Sequence, residues 1–125
     1  MMKKTFLFFI TCFLLSCNSD DDSQQQFCTE EYVYGLSITV KDAVDNTIIT
    51  EGLTVTASDG LYEEQLMRIE NSNNFFGAGE REGTYIIEVI SNDYQSFTSN
   101  PIAVGRTEDD CHVITEILEF QLIPN

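Results

Sequence analysis

Positive charge is scarce in this sequence. Its 125 residues include six lysines and arginines against 21 aspartates and glutamates. Two of the six, Lys3 and Lys4, precede residue 17, so the chain from residue 17 onward is more acidic still. Such a surface repels nucleic-acid phosphates and anionic lipid headgroups. The composition therefore excludes nucleic-acid binding, and solubility is a better explanation of the acidity than a specific cation site.

Histidine is nearly absent, and the signatures of catalytic or metal sites are absent too. His112 is the only histidine, and Glu116 follows it without a third ligand nearby, whereas zinc needs three or four ligands. No serine lies in a nucleophile elbow, and no glycine loop suits a phosphate. Glu80 and Glu82 flank Arg81 as a pair that could serve glycosidic acid–base chemistry, but exposed turn glutamates are usually just solvated. We predict no catalytic residue, metal or cofactor, and a protein that is not an enzyme.

Long hydrophobic runs are also missing. The most apolar stretch, Phe6 to Leu15, covers ten positions and is interrupted by Thr11 and Cys12. A membrane-spanning helix needs about 20 apolar residues, so this stretch is too short to remain in a bilayer. A short positive head precedes it and a small residue follows it, which is the layout of a secretory signal peptide.

The end of this leader reads Leu14-Leu15-Ser16-Cys17. It resembles the lipobox of bacterial lipoproteins, in which the cysteine is acylated and becomes the first mature residue. The resemblance implies a signal peptide over residues 1–16 and a membrane anchor on Cys17, since several acyl chains on one cysteine give stable attachment. The alternative is an ordinary signal peptide cleaved near Ser16.

The remaining cysteines suggest a disulfide. Of the four in the sequence, Cys12 would leave with the leader and Cys17 would carry lipid. Cys28 and Cys111 are left, one at each end of the region expected to fold. Because exported proteins meet an oxidising environment, we predict that these two are bonded to each other.

Residues 17–26 contain no apolar side chain after Cys17 and predict a disordered tether. Asp20, Asp21 and Asp22 follow the lipobox closely. An acidic triplet there resembles the signal that sends certain Gram-negative lipoproteins to the outer face of the outer membrane. We therefore expect an outward-facing protein, with a plain spacer as the alternative. A calcium site is a weak alternative because no rigid loop holds the carboxylates.

From residue 27 to residue 125 the pattern is that of strands and turns. Leu36, Ile38 and Val40 alternate with polar residues, as in a half-buried strand. Ser58-Asp59-Gly60 predicts a hairpin. With no helical period, seven or eight short strands predict one all-β domain, a transthyretin-like or Ig-like β-sandwich.

Three details of the strand assignment are specific enough to test. Leu61 to Ile69 is expected to form one continuous edge strand. Thr84 to Ser91 is expected to be central and covered on both faces, with Ile86 and Ile90 on the side opposite Tyr85. Cys111 to Ile123 is expected to be the last strand, bulged near Ile117 and Leu118 because its apolar residues change parity there.

Several of these strands resemble the carboxypeptidase regulatory-like domain. The matching stretches are Gly35-Leu-Ser-Ile-Thr-Val-Lys-Asp42, Gly52-Leu-Thr-Val-Thr-Ala57, Gly83-Thr-Tyr-Ile-Ile-Glu-Val89 and Asn92-Asp93-Tyr94. The resemblance implies a seven-stranded transthyretin-like sandwich over most of residues 32–122 and a non-catalytic role. Asp93 and Asp45-Asn46 replace glycines that the family usually has at those turns.

Aromatic residues are the only candidate binding surface. Five of them fall in or near loops and strand ends, where aromatics that contact sugars or proteins are common: Tyr62, Phe75, Phe76, Tyr94 and Phe97. Core packing is the alternative for each. We predict a lipid-anchored recognition or scaffolding module with a protein or glycan ligand. The alternative is an accessory carbohydrate-binding lipoprotein of a glycan-uptake system.

Overall fold

The computed structural model describes residues 27–125, which form a two-layer β-sandwich. The predictions for the leader, the acylated Cys17, the tether and the acidic triplet lie outside the described residues. Within that range the strands number nine rather than seven or eight, and the predicted all-β sandwich is confirmed. No helix in the described part has the length and hydropathy to cross a bilayer.

The first sheet has four strands, of which two are interior and two form its edges. In spatial order the strands are β4 (Met67–Arg68), β5 (Phe75–Gly79), β1 (Tyr34–Asp42) and β9 (Glu116–Leu122). The β1–β5 and β4–β5 pairs are antiparallel, whereas β1 and β9 are parallel. The first strand of the sandwich thus lies directly beside the last.

The second sheet has five strands, with β6 paired along both of its sides. Its strands are β3 (Tyr62–Gln65), β2 (Leu53–Asp59), β6 (Gly83–Ser91), β7 (Phe97–Thr98) and β8 (Ile102–Val104). One side of β6 pairs with β2, and the other side pairs with β8 near its start and with β7 further along. The β7–β8 segment therefore forms an edge that is interrupted by Asn100 and Pro101.

Side chains from the two inner faces fill the space between the sheets. The alternation predicted for β1 is confirmed, since Leu36, Ile38 and Val40 are fully buried. Opposite them lie Tyr85 and Ile87 of β6, also fully buried. Burial of apolar side chains on this scale is the main favourable term in folding.

Two predicted turns adopt the conformation that their residues favour. The β2–β3 hairpin turns at Gly60, whose φ of 59° lies in the left-handed region. Asn46, which stands where the resembling family has a glycine, has a φ of 63°. Asparagine tolerates this region better than most residues with a side chain.

Three details of the predicted strands are wrong. The stretch from Leu61 to Ile69 breaks at the buried Leu66, where the chain passes from the second sheet to the first. The outer face of β6 is not covered, because Ile86 and Ile90 are 41% and 48% exposed. The last strand begins at Glu116 rather than Cys111, and the change of parity occurs in the segment before it.

No bulge is therefore needed near Ile117 and Leu118. Ile117 is 78% exposed, while Leu118 lies against the core. These two residues follow the ordinary alternation of a strand with one covered face. The expected parity conflict came from counting Val113, which precedes the strand, as part of it.

Candidate functional site

The N-terminal end of the domain is fastened to the loop before β9 by a disulfide. Cys28 and Cys111 are bonded, with Cα atoms 5.2 Å apart and 83 positions between them in the sequence. This distance is within the range that disulfides adopt, and the predicted pairing is confirmed. The bond brings together the residues that follow each cysteine, Thr29 and His112.

His112 connects this end of the domain to Glu80. Its Nδ1 lies 2.7 Å from Glu80 Oε1, and its Nε2 lies 2.9 Å from Thr29 Oγ1. With the proton on Nδ1 directed at the carboxylate, Nε2 of the neutral ring accepts from the Thr29 hydroxyl. Nε2 of the protonated ring instead donates to the hydroxyl oxygen. The histidine is therefore satisfied in both protonation states.

Glu80 forms hydrogen bonds through both its backbone and its side chain. Its backbone N–H donates to the Val33 carbonyl over 2.8 Å, and its Oε1 accepts from the Val33 N–H over 2.9 Å. Its side chain is only 26% exposed, and Oε2 is buried without a hydrogen-bond partner among residues 27–125. Glu80 was expected to be an exposed turn glutamate, and that expectation is wrong.

Backbone strain accompanies these contacts. Glu80 has a φ of 50° and Ala78 a φ of 51°, a left-handed conformation that costs a residue with a side chain on the order of 1 kcal/mol. Between them, Gly79 packs so closely against the Tyr32 ring that a Cβ at this position would collide with it. The packing of the N-terminal segment thus holds this strained turn in place.

We call this set of contacts the N-terminal latch. It consists of the Cys28–Cys111 bond and the hydrogen-bonded residues Thr29, Val33, Glu80 and His112. Its members come from three segments that are far apart in the chain. The latch therefore holds the N-terminal segment against the sandwich.

The latch shifts the acidity of Glu80. Burial alone would raise the pKa of this carboxyl, but the hydrogen bonds from His112 and the Val33 N–H, together with the positive charge of a protonated His112, outweigh it. The net pKa of Glu80 lies below its ordinary value of 4.5. A carboxyl with a depressed pKa in the folded state stabilises the fold above its unfolded pKa, and that stabilisation is lost as the pH falls through the folded pKa.

We expect Glu80→Gln to remove this pH dependence. The wild-type chain should melt at a higher temperature than the variant at pH 6, and the gap should shrink as the pH falls below about 4.5. Thermal melts of both proteins between about pH 7 and pH 3 measure it. The matched control Glu70→Gln removes an exposed carboxyl outside the latch and corrects for the loss of one charge. A gap that stays constant down to pH 3 would contradict the assignment.

The order of groups in the latch, hydroxyl–imidazole–carboxylate, also occurs in hydrolase triads. A triad additionally needs oxyanion donors and a substrate cleft beside the hydroxyl. The groove lined by Phe97 and Phe120 shares no residue with the latch, and Thr29 follows the disulfide-bonded Cys28. In the described residues, these contacts join the N-terminal segment to Glu80 and to the loop before β9.

The cleft is a shallow groove between the edges of the two sheets. Phe97 of β7 and Phe120 of β9 lie with their ring centroids 4.7 Å apart. The groove has a volume of about 270 Å³ and is lined by Phe97, Thr98, Ser99, Asn100, Pro101, Ile102, Leu118 and Phe120. Apolar walls with a few polar groups are typical of binding grooves.

The five aromatic candidates do not form one surface. Phe97 lies in the groove, whereas Phe75 is in the core at 5% exposure. Phe76 packs on Tyr34, with centroids 5.4 Å apart. The Arg81 guanidinium stacks 3.7 Å from the Tyr62 ring centroid, and the Tyr94 hydroxyl donates to Asp42 over 2.8 Å. The structure therefore brings Phe97 together with Phe120, which was not among the candidates.

Sequence reasoning missed Thr29 and misplaced His112, which lies in the loop before β9 rather than on a strand. The sequence contains one signal that links Thr29 to His112. Thr29 and His112 each follow a cysteine of the predicted pair, so forming the bond places them close together. The partnership of His112 with Glu80 had no such signal.

Among residues 27–125, no three side chains of His, Cys, Asp or Glu come close enough together to bind a metal ion. No family model matches the chain, and no curated protein matches it either.

Proposed function

We propose that this protein is a non-catalytic, lipid-anchored module of the bacterial cell envelope that recognises or scaffolds another molecule. In this proposal Cys17 carries the lipid and the sandwich faces outward from the outer membrane. The observation that carries it is the latch. A disulfide is typical of an exported protein, and this one fastens the end of the domain to which the tether would connect.

The latch suits an anchored domain for a mechanical reason. A force on the tether acts first on the residues next to Cys28, and without the bond the N-terminal segment could open from β1 outward. The disulfide transfers that force to the loop before β9. β9 itself pairs directly with β1 in the first sheet. Fraying at the tethered end is therefore opposed by a covalent link and by three hydrogen bonds of the N-terminal segment, one between Thr29 and His112 and two between Val33 and Glu80.

The proposal includes the resemblance to the carboxypeptidase regulatory-like domain. Three of the four stretches that carry it fall on β1, β2 and β6, which are interior strands of the two sheets, and Asn92-Asp93-Tyr94 follows β6. In that family the domain is a non-catalytic appendage. The resemblance therefore supports a recognition role in preference to an enzymatic one.

Changing Cys17→Ser tests the anchor. We expect the variant to be released from the membrane fraction or to accumulate as its unprocessed precursor, because the acyl chains have no attachment point. Cell fractionation with immunoblotting measures it, and Cys12→Ser, which alters a leader cysteine outside the lipobox, is the matched control. Processed Cys17→Ser protein in the membrane fraction would show that the lipobox interpretation is wrong.

Replacing Asp20, Asp21 and Asp22 together with alanine tests the outward orientation. We expect the variant to remain in the membrane fraction and to become resistant to protease added to intact cells, because the export signal is gone. Lysed cells provide the control for intrinsic protease sensitivity. If accessibility in intact cells is unchanged, the triplet is only a spacer.

A further inference from the structure

Among the described residues, β9 has one edge that pairs with no other strand. This strand pairs with β1 on one side, and in the described part of the chain the backbone of residues 116–121 makes no other hydrogen bond. Only beyond the strand does the chain find a second partner, where Ile123 accepts from the Gln95 N–H over 2.8 Å. Unpaired backbone groups along a strand form a template for another strand.

The other three edges of the sandwich are poorer templates. β4 has two residues, and β3 has four, among which Glu63 and Glu64 are charged. The β7–β8 edge is interrupted at Asn100 and Pro101, and a proline cannot donate a hydrogen bond. In contrast, β9 has seven residues without proline. Among the described edge strands β9 is the longest, and no proline interrupts it.

Apolar contacts lie on both sides of this edge. On the inner side Leu118 and Phe120 line the groove and face Phe97 across it. On the outer side Ile117 is 78% exposed. Because side chains of a strand alternate, an added strand would place one side chain in the groove and the next on the outer side, beside Ile117 and Glu119.

Charge indicates what kind of strand fits. From residue 27 onward, four basic side chains stand against 18 acidic ones. On β9 itself Glu116 and Glu119 are acidic, and the nearby Lys41 is already paired with Glu119 over 3.2 Å. A second copy of this chain would bring like charges together, which is destabilising for facing strands.

We propose that an extended basic peptide segment of a partner protein adds to β9 as a further strand and inserts an apolar side chain between Phe97 and Phe120. Main-chain hydrogen bonds supply affinity, and the groove selects the anchoring side chain. The lysines or arginines of the peptide face the acidic surface. This inference rests on the proposed recognition role and names the chemistry of the partner, but it does not depend on the lipid anchor.

The experiment uses the full chain and a fluorescein-labelled eight-residue peptide of alternating lysine and valine with one central phenylalanine. We expect micromolar binding by fluorescence anisotropy that weakens as NaCl rises from about 50 mM to about 500 mM. The amide protons of residues 116–121 that point away from β1 should become protected from exchange. The same peptide with glutamate in place of lysine should bind at least about tenfold more weakly.

Two further comparisons locate the site. N-methylation of alternate peptide amides should abolish binding without altering the protein, since the methylated backbone cannot pair. Phe120→Ala should weaken binding about tenfold, whereas Phe76→Ala, an aromatic of similar burial on β5, should change it less than about twofold. If Phe120→Ala does not fold, the N-methylated peptide still decides the question.

Any of four results would overturn the inference: no binding of the lysine peptide, equal binding of its N-methylated form, protection outside β9, or self-association of the chain through β9. Binding of a neutral oligosaccharide at Phe97 and Phe120 without peptide binding would instead assign the groove to a glycan. Each of these failures leaves the membrane anchor untouched, because the Cys17→Ser fractionation tests that separately.

Discussion

Replacing both Cys28 and Cys111 with alanine is expected to lower the melting temperature of the protein by roughly 8–32 °C. The bond closes a loop of 83 positions. Its chain-entropy contribution is at most about 4.5 kcal/mol, and disulfides typically contribute about 2–4 kcal/mol. For a domain of this size each kcal/mol corresponds to about 4–8 °C. Thermal melts followed by circular dichroism measure the change.

A reducing agent provides the internal control for this experiment. It should lower the melting temperature of the wild-type chain toward that of the double variant and leave the variant unchanged. Thr29→Val, which removes the neighbouring hydroxyl and keeps the bond, should cost about 1 kcal/mol or less. A double variant that melts within about 3 °C of wild type would show that the bond contributes little to stability.

Ile87→Ala is expected to destabilise the fold by about 2–5 kcal/mol, and Ile86→Ala by no more than about 1 kcal/mol. The two isoleucines are neighbours on β6, yet Ile87 is fully buried and Ile86 is 41% exposed. Truncating Ile87 leaves a cavity between the sheets, opposite Leu36 and Ile38. Truncating Ile86 removes a side chain from the outer face and leaves no cavity.

Urea denaturation of both variants measures this difference in the free energy of unfolding. Ile86→Ala is the matched control for Ile87→Ala, because both replace isoleucine with alanine on the same strand. Similar losses for the two variants would mean that both faces of β6 are covered, as the apolar composition of the strand suggested. In that event the outer face would pack against another part of the protein or against a second molecule.

The fold class could be predicted because its signals are local. Alternation of Leu36, Ile38 and Val40 with polar residues reports which side of a strand is covered. Gly60 and Asn46 adopt left-handed φ values for reasons contained in the residues themselves. The pairing of Cys28 with Cys111 followed from elimination among four cysteines and from the chemistry of exported proteins.

The candidate sites were less predictable because their parts are distant in sequence. Glu80 and His112 lie 32 positions apart, and nothing in the neighbourhood of either residue specifies the other. Phe97 and Phe120 meet because the edges of two different sheets lie side by side. Of these four residues, only Phe97 was among the predicted ligand contacts.

The sequence by itself determined the strand periodicity, the turns and the pairing of Cys28 with Cys111, since these depend on backbone preferences and on residue chemistry. Only the tertiary structure decided that the chain passes from the second sheet to the first at Leu66, and that Ile86 is exposed while Ile87 is buried. It also decided that β9 pairs along one edge only among the described strands. The physical reason is that burial and pairing depend on which element packs alongside. The apolar sequence of a strand such as β6 does not reveal whether one of its faces is covered or both are.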